Sequence, residues 1–148
     1  MPKLVLLIED NASDEKLTLL AFKKCQLAND VVVARDGAEA LDFLFATGAH
    51  ASRDAALLPA LVLLDLNLPK IDGLEVLRRI RADDRTKALP VVVLTSSSQD
   101  EDIAQGYAFG ANAYVRKPVP YEQFIQAAQT LGAFWLSINE PPPQTLAG

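Results

Sequence analysis

The sequence predicts an α/β fold in which a parallel β-sheet lies between two layers of helices. Short runs rich in Val, Ile and Leu alternate along the chain with longer stretches whose apolar residues recur every three or four positions. The runs LVLL at 61–64 and VVVL at 91–94 are continuously apolar, which is typical of strands covered on both faces. Strict alternation of strand and helix implies parallel neighbours joined by right-handed crossovers.

Five strands and five helices are expected, and we expect the flavodoxin-like strand order 2-1-3-4-5 for the sheet. The predicted strands are Lys3–Glu9, Asp30–Ala34, Leu61–Asp65, Pro90–Thr95 and Ala113–Arg116. The predicted helices are Ser13–Gln26, Gly37–Ala46, Gly73–Ala82, Gln99–Phe109 and Pro120–Leu136.

Polar residues and a glycine support the predicted helix boundaries. Asp36 precedes the second helix with Glu39 three residues later, and Ser98 stands in the same relation to Glu101 before the fourth. Gly73 opens the third helix directly after a short connection, where a residue without a side chain allows a sharp turn.

Composition limits the class of protein. With 148 residues, 50% of them apolar and 22% charged, the chain can form one domain with a substantial core. We expect residues 1–139 to form that domain and the Pro-rich residues 140–148 to be a flexible tail. The net charge of -5 argues against direct nucleic-acid binding, and no apolar run is long enough to cross a membrane. We therefore expect a cytoplasmic protein.

Two isolated residues have simple interpretations. The single cysteine, Cys25, follows apolar positions at helical spacing and is expected to be a small buried residue. The single histidine, His50, lies in the long connection Thr47–Pro59 with no second metal-ligand pattern beside it. We expect an exposed loop histidine.

Chemically reactive side chains are predicted at the strand ends. The first strand ends in Glu9 and Asp10, the third in Asp65 and the fourth in Thr95, while Lys117 follows the fifth. Ligands of open parallel sheets bind outside the carboxyl ends of the strands, so the expected order gathers these groups in one crevice. Three clustered carboxylates repel one another unless a cation intervenes, and an all-oxygen site favours Mg²⁺.

In such a crevice Asp65 is placed to attack phosphorus and to hold the resulting acyl phosphate. Lys117 and Thr95 would then stabilise the transferred charge. Taken singly, each acid is more often a helix cap or a surface group, and Asp10 or Asn11 could cap the first helix. The placement of all of them on one sheet edge favours the active-site interpretation.

Four segments resemble the receiver domain of bacterial two-component response regulators, and the resemblance covers about residues 3–137. The segments are IEDN at 8–11, LLDLNLPKIDGLEVL at 63–77, VVVLTS at 91–96 and GANAYVRKP at 110–118. The resemblance implies that Asp65 accepts a phosphoryl group from a histidine kinase. It further implies that Thr95 hydrogen-bonds that group and that Lys117 forms an ion pair with it.

The same resemblance implies a Mg²⁺ site and a switch. Asp10, Asp65 and the main-chain carbonyl of Asn67 would bind the ion, with Glu9 acting through water. Glu9 stands where many members of the family have Asp. Tyr114 is placed like the aromatic residue whose ring turns inward when the hydroxyl of the switch threonine moves to the phosphoryl group.

The end of the last helix is unusually apolar. Adjacent Phe134 and Trp135 cannot both face one core, so one of them is expected to contact a partner. This ending and the long connection Thr47–Pro59 resemble single-domain regulators associated with phytochrome photoreceptor kinases, which form homodimers. We expect a homodimer interface made by aromatic residues: Tyr107, Tyr114, Tyr121, Phe134 and Trp135.

Three other functions compete with a phosphoacceptor switch, which would not be an enzyme. A haloacid dehalogenase-like phosphatase also uses an Asp nucleophile with Mg²⁺, but it needs a second acid two residues later, where this chain has Asn67. A nucleotide-binding protein would have a glycine-rich phosphate loop after the first strand, and none is present. A pure interaction module would not need Asp65 and Lys117.

Overall fold

The computed structural model describes residues 3–24, 29–95, 99–117 and 121–141. The strands are β1 (Lys3–Ile8), β2 (Asn29–Ala34), β3 (Leu61–Leu64), β4 (Val91–Thr95) and β5 (Ala113–Arg116). The helices are α1 (Ala12–Lys24), α2 (Gly37–Phe45), α3 (Gly73–Ala82), α4 (Asp100–Ala108) and α5 (Tyr121–Ala133). A 3-10 helix spans Gly48–His50, and a π-helical turn, Phe134–Ile138, continues α5.

The five strands form one parallel sheet in the order β2-β1-β3-β4-β5, which confirms the predicted fold class and strand order. The predicted boundaries differ at the functional edge. β1 ends at Ile8 and β3 at Leu64, so Glu9 and Asp65 lie immediately beyond their strands. The last helix leaves α-helical geometry at Phe134, before the predicted end at Leu136.

The sheet is covered on both faces, as the continuous apolar runs predicted. Leu6 and Ile8 pack into a cluster with α2 and α3, whereas Val5 and Leu7 pack into a second cluster with α1 and α5. Successive residues of a strand point to opposite faces, so β1 to β4 each contribute to both clusters. Burial on both faces fixes the register and therefore the positions of the residues that follow each strand.

Helix capping agrees with the sequence at α2. The Asp36 carboxylate accepts a hydrogen bond of 2.7 Å from the backbone N–H of Glu39. The predicted cap Ser98 lies outside the described residues, and α4 begins at Asp100 after Gln99, whose side chain makes no capping hydrogen bond. Cys25 and residues 142–148 of the predicted tail also lie outside the described residues.

Two residues of the connection Thr47–Pro59 pack against the aromatic ring of Phe43. The guanidinium of Arg53 lies 3.8 Å from the centroid of the Phe43 ring and donates to the carbonyl oxygens of Phe43 and Leu57. His50 packs edge-on against the same ring, with the centroids 5.3 Å apart. His50 is half-buried because its ring packs against Phe43. The expectation of an exposed histidine is therefore wrong.

Within the described part of the chain, no helix is both long enough and apolar enough to pass through a bilayer.

Gly73 lets α3 begin directly against the chain that follows β3. An added Cβ would meet the carbonyl oxygen of Asp65 and lie 2.6 Å from the Cα of Leu66. We predict that Gly73→Ala lowers the free energy of unfolding by about 2 kcal/mol or more, because backbone atoms cannot move aside easily. Urea unfolding measures this change.

Gly106→Ala is the matched control in α4. Its added Cβ would lie 3.3 Å from the ring of Tyr114, a side chain that can shift slightly. The helical preference of alanine, worth about 1 kcal/mol, offsets that contact, so stability should change little. Equal effects of the two substitutions would contradict the steric explanation for Gly73.

Candidate functional site

Main-chain hydrogen bonds extend the sheet by one residue at its carboxyl edge. The backbone N–H of Glu9 donates to the carbonyl of Ala34 at 3.0 Å, and the N–H of Asp65 donates to the carbonyl of Ile8 at 3.0 Å. Glu9 and Asp65 therefore follow adjacent strands in a fixed register. Their carboxylates lie at the same edge of the sheet because parallel strands end on the same side.

The predicted carboxylates are brought together. One oxygen from each of Glu9, Asp10 and Asp65 lies within 4.8 Å of the others. Glu9 and Asp65 are buried, with 1% and 7% of their surfaces exposed, whereas Asp10 is exposed. The group therefore reaches from the interior to solvent, and its oxygen-only donor set fits a hard divalent cation.

Lys117 reaches this group from the end of β5, which is an edge strand of the sheet. Its Nζ lies 2.7 Å from Glu9 Oε2, 2.8 Å from Asp14 Oδ2 and 3.6 Å from Asp65 Oδ2. Its backbone N–H donates to the carbonyl of Thr95 at 2.6 Å, which fixes the start of the side chain beside β4. An ammonium group this deeply buried is stable only because carboxylates surround it.

The pKa of Glu9 is raised, mainly because its carboxyl group is buried. Burial raises its pKa from 4.5 to about 7, and the neighbouring Asp65 adds to the rise, while the hydrogen bond from Lys117 opposes it. Burial alone would lower the pKa of Lys117, but its hydrogen bonds to Asp14 and Glu9 outweigh burial and raise that pKa. The pocket therefore favours one more positive charge, either a proton or a cation.

Backbone donors hold the two buried carboxylates in place. The N–H of Asn67 donates to Asp65 Oδ1 at 3.1 Å, and the N–H of Asn11 donates to Glu9 Oε1 at 3.2 Å. Asp65 therefore has one oxygen held by the following turn and the other directed toward Lys117. These two contacts fix the orientation of the Asp65 carboxylate.

The remaining predicted residues of the switch lie on β4 and β5. Thr95 ends β4, next to β3, and is fully buried. Tyr114 is half-buried on β5 with its ring against Gly106 of α4, and its ring centroid lies 6.5 Å from that of Tyr107. These two tyrosines lie on the α4–β5 surface and not among the carboxylates.

The residues predicted for a dimer interface differ in exposure. Tyr107 and Phe134 are 51% and 44% exposed, whereas Trp135 is half-buried and packs against the cluster beneath α5. The rings of Phe134 and Trp135 meet edge-on with centroids 4.9 Å apart. The side chain of Tyr121 lies outside the description.

Sequence reasoning missed Asp14, which belongs to the first turn of α1 and holds Lys117. The available signal was its place in the chain. Asp14 lies in the first helical turn after β1, and that turn lies at the same sheet edge as the carboxylates that follow the strands. The capping alternative is also partly met, because Asn11 Oδ1 accepts a hydrogen bond of 3.0 Å from the N–H of Asp14.

Comparison with known proteins identifies relatives over nearly the whole chain. A family profile described as "Response regulator receiver domain" matches residues 5–129. The chain is 39% identical to "Probable methanogenesis regulatory protein FilR2" of Methanothrix harundinacea, across 95% of this chain and 88% of that protein. It is 36% identical to "Response regulator Rcp1" of Synechocystis sp., across 91% of this chain and 90% of that protein.

Solved structures of response regulators are also similar to this chain. The phosphorylated cyanobacterial phytochrome response regulator RcpA has a TM-score of 0.88 and 38% identity, across 97% of this chain and 100% of that one. The Mn²⁺-bound form of Rcp1 has a TM-score of 0.87 and 35% identity, across 96% and 100%. The bacteriophytochrome response regulator AtBRR has a TM-score of 0.75 and 53% identity, across 95% and 99%.

The raised pKa of Glu9 predicts a pH dependence of the metal-free protein. The folded protein holds the Glu9 proton up to about pH 7, whereas the unfolded chain releases it near pH 4.5. Unfolding between these values releases a proton, so this residue makes the folded state less stable as the pH rises through the window. Urea unfolding in EDTA at several pH values measures the effect.

Glu9→Gln is the control, because an amide does not titrate. Its stability relative to the parent chain should rise as the pH increases from about 4.5 to about 7, and should then level off. A stability difference that does not change with pH would contradict the shifted pKa.

Proposed function

The chain belongs to the response regulator receiver domain family, and on that premise we propose that it is a signalling switch in which Asp65 accepts a phosphoryl group from a histidine kinase. The observation that carries this proposal is the buried Asp65 carboxylate facing the buried ammonium of Lys117. A nucleophile beside a fixed cation is suited to a transfer in which negative charge moves onto the protein.

The transfer exchanges one bond to phosphorus for another. An oxygen of Asp65 attacks phosphorus while the bond from phosphorus to the kinase histidine nitrogen breaks. That nitrogen keeps the electron pair, and the imidazole ring takes up a proton as it leaves. Lys117 then pairs with the new phosphoryl oxygens, and the hydroxyl of Thr95 hydrogen-bonds one of them.

We propose Mg²⁺ as the cation of the site, held by Glu9, Asp10, Asp65 and the main-chain carbonyl of Asn67. The three clustered carboxylates fit such an ion, and the related Rcp1 was solved in a Mn²⁺-bound form. When bound, the ion supplies positive charge that offsets the charge of the incoming phosphoryl group. Proton binding by Glu9 would compete with it, because both satisfy the same excess of negative charge.

The proposed switch runs through Thr95 and Tyr114. Phosphorylation adds about two negative charges and new acceptor oxygens, which draw the hydroxyl of Thr95. Reversing a two-state population requires about 5.5 kcal/mol, and charge-assisted hydrogen bonds contribute about 1.5 to 3 kcal/mol each. About two to four such contacts are enough to turn the ring of Tyr114 inward and change the α4–β5 surface.

The kinase is proposed from the relatives. RcpA is described as a phytochrome response regulator and AtBRR as a bacteriophytochrome response regulator, so we propose a phytochrome photoreceptor kinase in the cytoplasm as the phosphodonor. The homodimer remains a prediction, supported by the exposed rings of Tyr107 and Phe134. We propose that the protein switches state and does not turn over a substrate.

A haloacid dehalogenase-like phosphatase is not favoured. Asn67 stands two residues after Asp65, is exposed, and uses its backbone N–H to hold Asp65. An amide cannot protonate a leaving group as the second acid of such a phosphatase does.

Incubation with Mg²⁺ and acetyl phosphate separates the two functions. The chain should take up one phosphoryl group and then stop, and EDTA should slow uptake by at least about a hundredfold, because a metal ion supplies several kcal/mol to phosphoryl transfer. Phosphate-affinity electrophoresis follows the adduct. Continuous release of phosphate from p-nitrophenyl phosphate would instead indicate a hydrolase.

Substitution of Phe134 tests the dimer. The Phe134 side chain is 44% exposed and does not belong to the buried clusters, so Phe134→Ser should weaken self-association by at least about tenfold, an effect usual for an aromatic contact in an interface. Sedimentation velocity over a range of concentrations measures this change.

Leu57→Ser is the control, because Leu57 is 61% exposed in the connection before β3 and lies outside the predicted interface. A parent chain that is monomeric at micromolar concentration, with and without phosphorylation, would disprove the dimer.

A further inference from the structure

Lys117 divides its ammonium group among three carboxylates, and one of them has no place in the proposed cation site. Glu9 and Asp65 belong to the carboxylate cluster, but Asp14 does not. Asp14 lies on α1, and its Oδ2 is 2.8 Å from Lys117 Nζ, nearly as close as Glu9 at 2.7 Å. Asp65 is farther from Nζ, at 3.6 Å.

We infer that Asp14 is a positioning residue that holds Lys117 back from Asp65 in the unphosphorylated protein and competes with the phosphoryl group for the ammonium. This inference rests on the proposed function. Asp14 would act only through Lys117, and its effect would be to restrain the rate at which Asp65 becomes phosphorylated.

The geometry of the ammonium group supports this role. Lysine has three N–H donors, and two of them are used in short bonds to Glu9 and Asp14. The 3.6 Å separation from Asp65 is longer than a hydrogen bond. Lys117 therefore rests farther from the phosphoacceptor than a direct hydrogen bond requires.

The position of Asp14 is fixed by its own backbone. Its N–H donates to Asn11 Oδ1 at 3.0 Å, and its carbonyl oxygen accepts a bond of 2.8 Å from the hydroxyl of Thr18. The carboxylate is therefore presented to Lys117 by the first turn of a formed helix. Its side chain is 37% exposed, so solvent screens the pair in part.

Glu9 and Asp14 should respond differently when the site is loaded. A cation held by Glu9, Asp10 and Asp65 would compensate the charge of Glu9, which lies within that cluster. The charge of Asp14 would remain and would retain Lys117. The phosphoryl group must therefore compete with Asp14 for the ammonium group of Lys117.

Asp14→Asn tests this competition. With phosphoramidate as donor and Mg²⁺ saturating for each variant, the substitution should raise the initial rate of phosphoryl uptake by about threefold to tenfold, a range between a screened and a buried ion pair. Phosphate-affinity electrophoresis gives the rates. A damaged fold would lower the rate, so a gain cannot come from destabilisation.

Glu15→Gln is the matched control. Glu15 lies in the same turn of α1 and loses the same charge, but it pairs with Arg35 at 3.0 Å and not with Lys117. Its rate should stay within about twofold of the parent, because screening weakens its influence on the pocket. Asp14→Glu restores the charge and should return the rate toward that of the parent.

Each other outcome overturns a specific claim. An unchanged or lower rate for Asp14→Asn, or an equal gain for Glu15→Gln, would show that Asp14 does not restrain Lys117. A parent chain that takes up no phosphoryl group, with Mg²⁺ present, would instead contradict the proposed function.

Discussion

The site depends on burying the ammonium of Lys117 among carboxylates that come from distant parts of the chain. Lys117 follows β5 and Glu9 follows β1, and in the sheet these strands are separated by β3 and β4. The ammonium reaches across the carboxyl edge of those two strands to Glu9 and passes close to Asp65. Removing Lys117 would leave buried carboxylates without their cation, so the groups form a single unit.

This unit contains more negative than positive charge. That excess links the stability of the fold, cation binding and phosphorylation. A proton on Glu9, a divalent cation among the three carboxylates and the ammonium of Lys117 each neutralise part of the negative charge. A phosphoryl group adds negative charge to the same pocket and is stabilised by the same cations. Stability, cation binding and phosphorylation are therefore expected to change together with pH.

The sequence predicted most of the fold because each strand is a short apolar run and each helix an amphipathic stretch. It also predicted Asp65 and Lys117, since residues that follow parallel strands must meet at one edge. It did not predict the role of Asp14, the packing of Arg53 on Phe43, or the π-helical turn after Ala133. These features depend on side-chain directions and on contacts between elements, which local patterns do not specify.

The most direct test is to locate the phosphoryl group on the chain. After incubation with Mg²⁺ and acetyl phosphate, reduction of the acyl phosphate with borohydride and tandem mass spectrometry should place the modification on Asp65 alone, and Asp65→Asn should remain unlabelled. A label on another residue, or uptake by Asp65→Asn equal to that of the parent chain, would contradict the account.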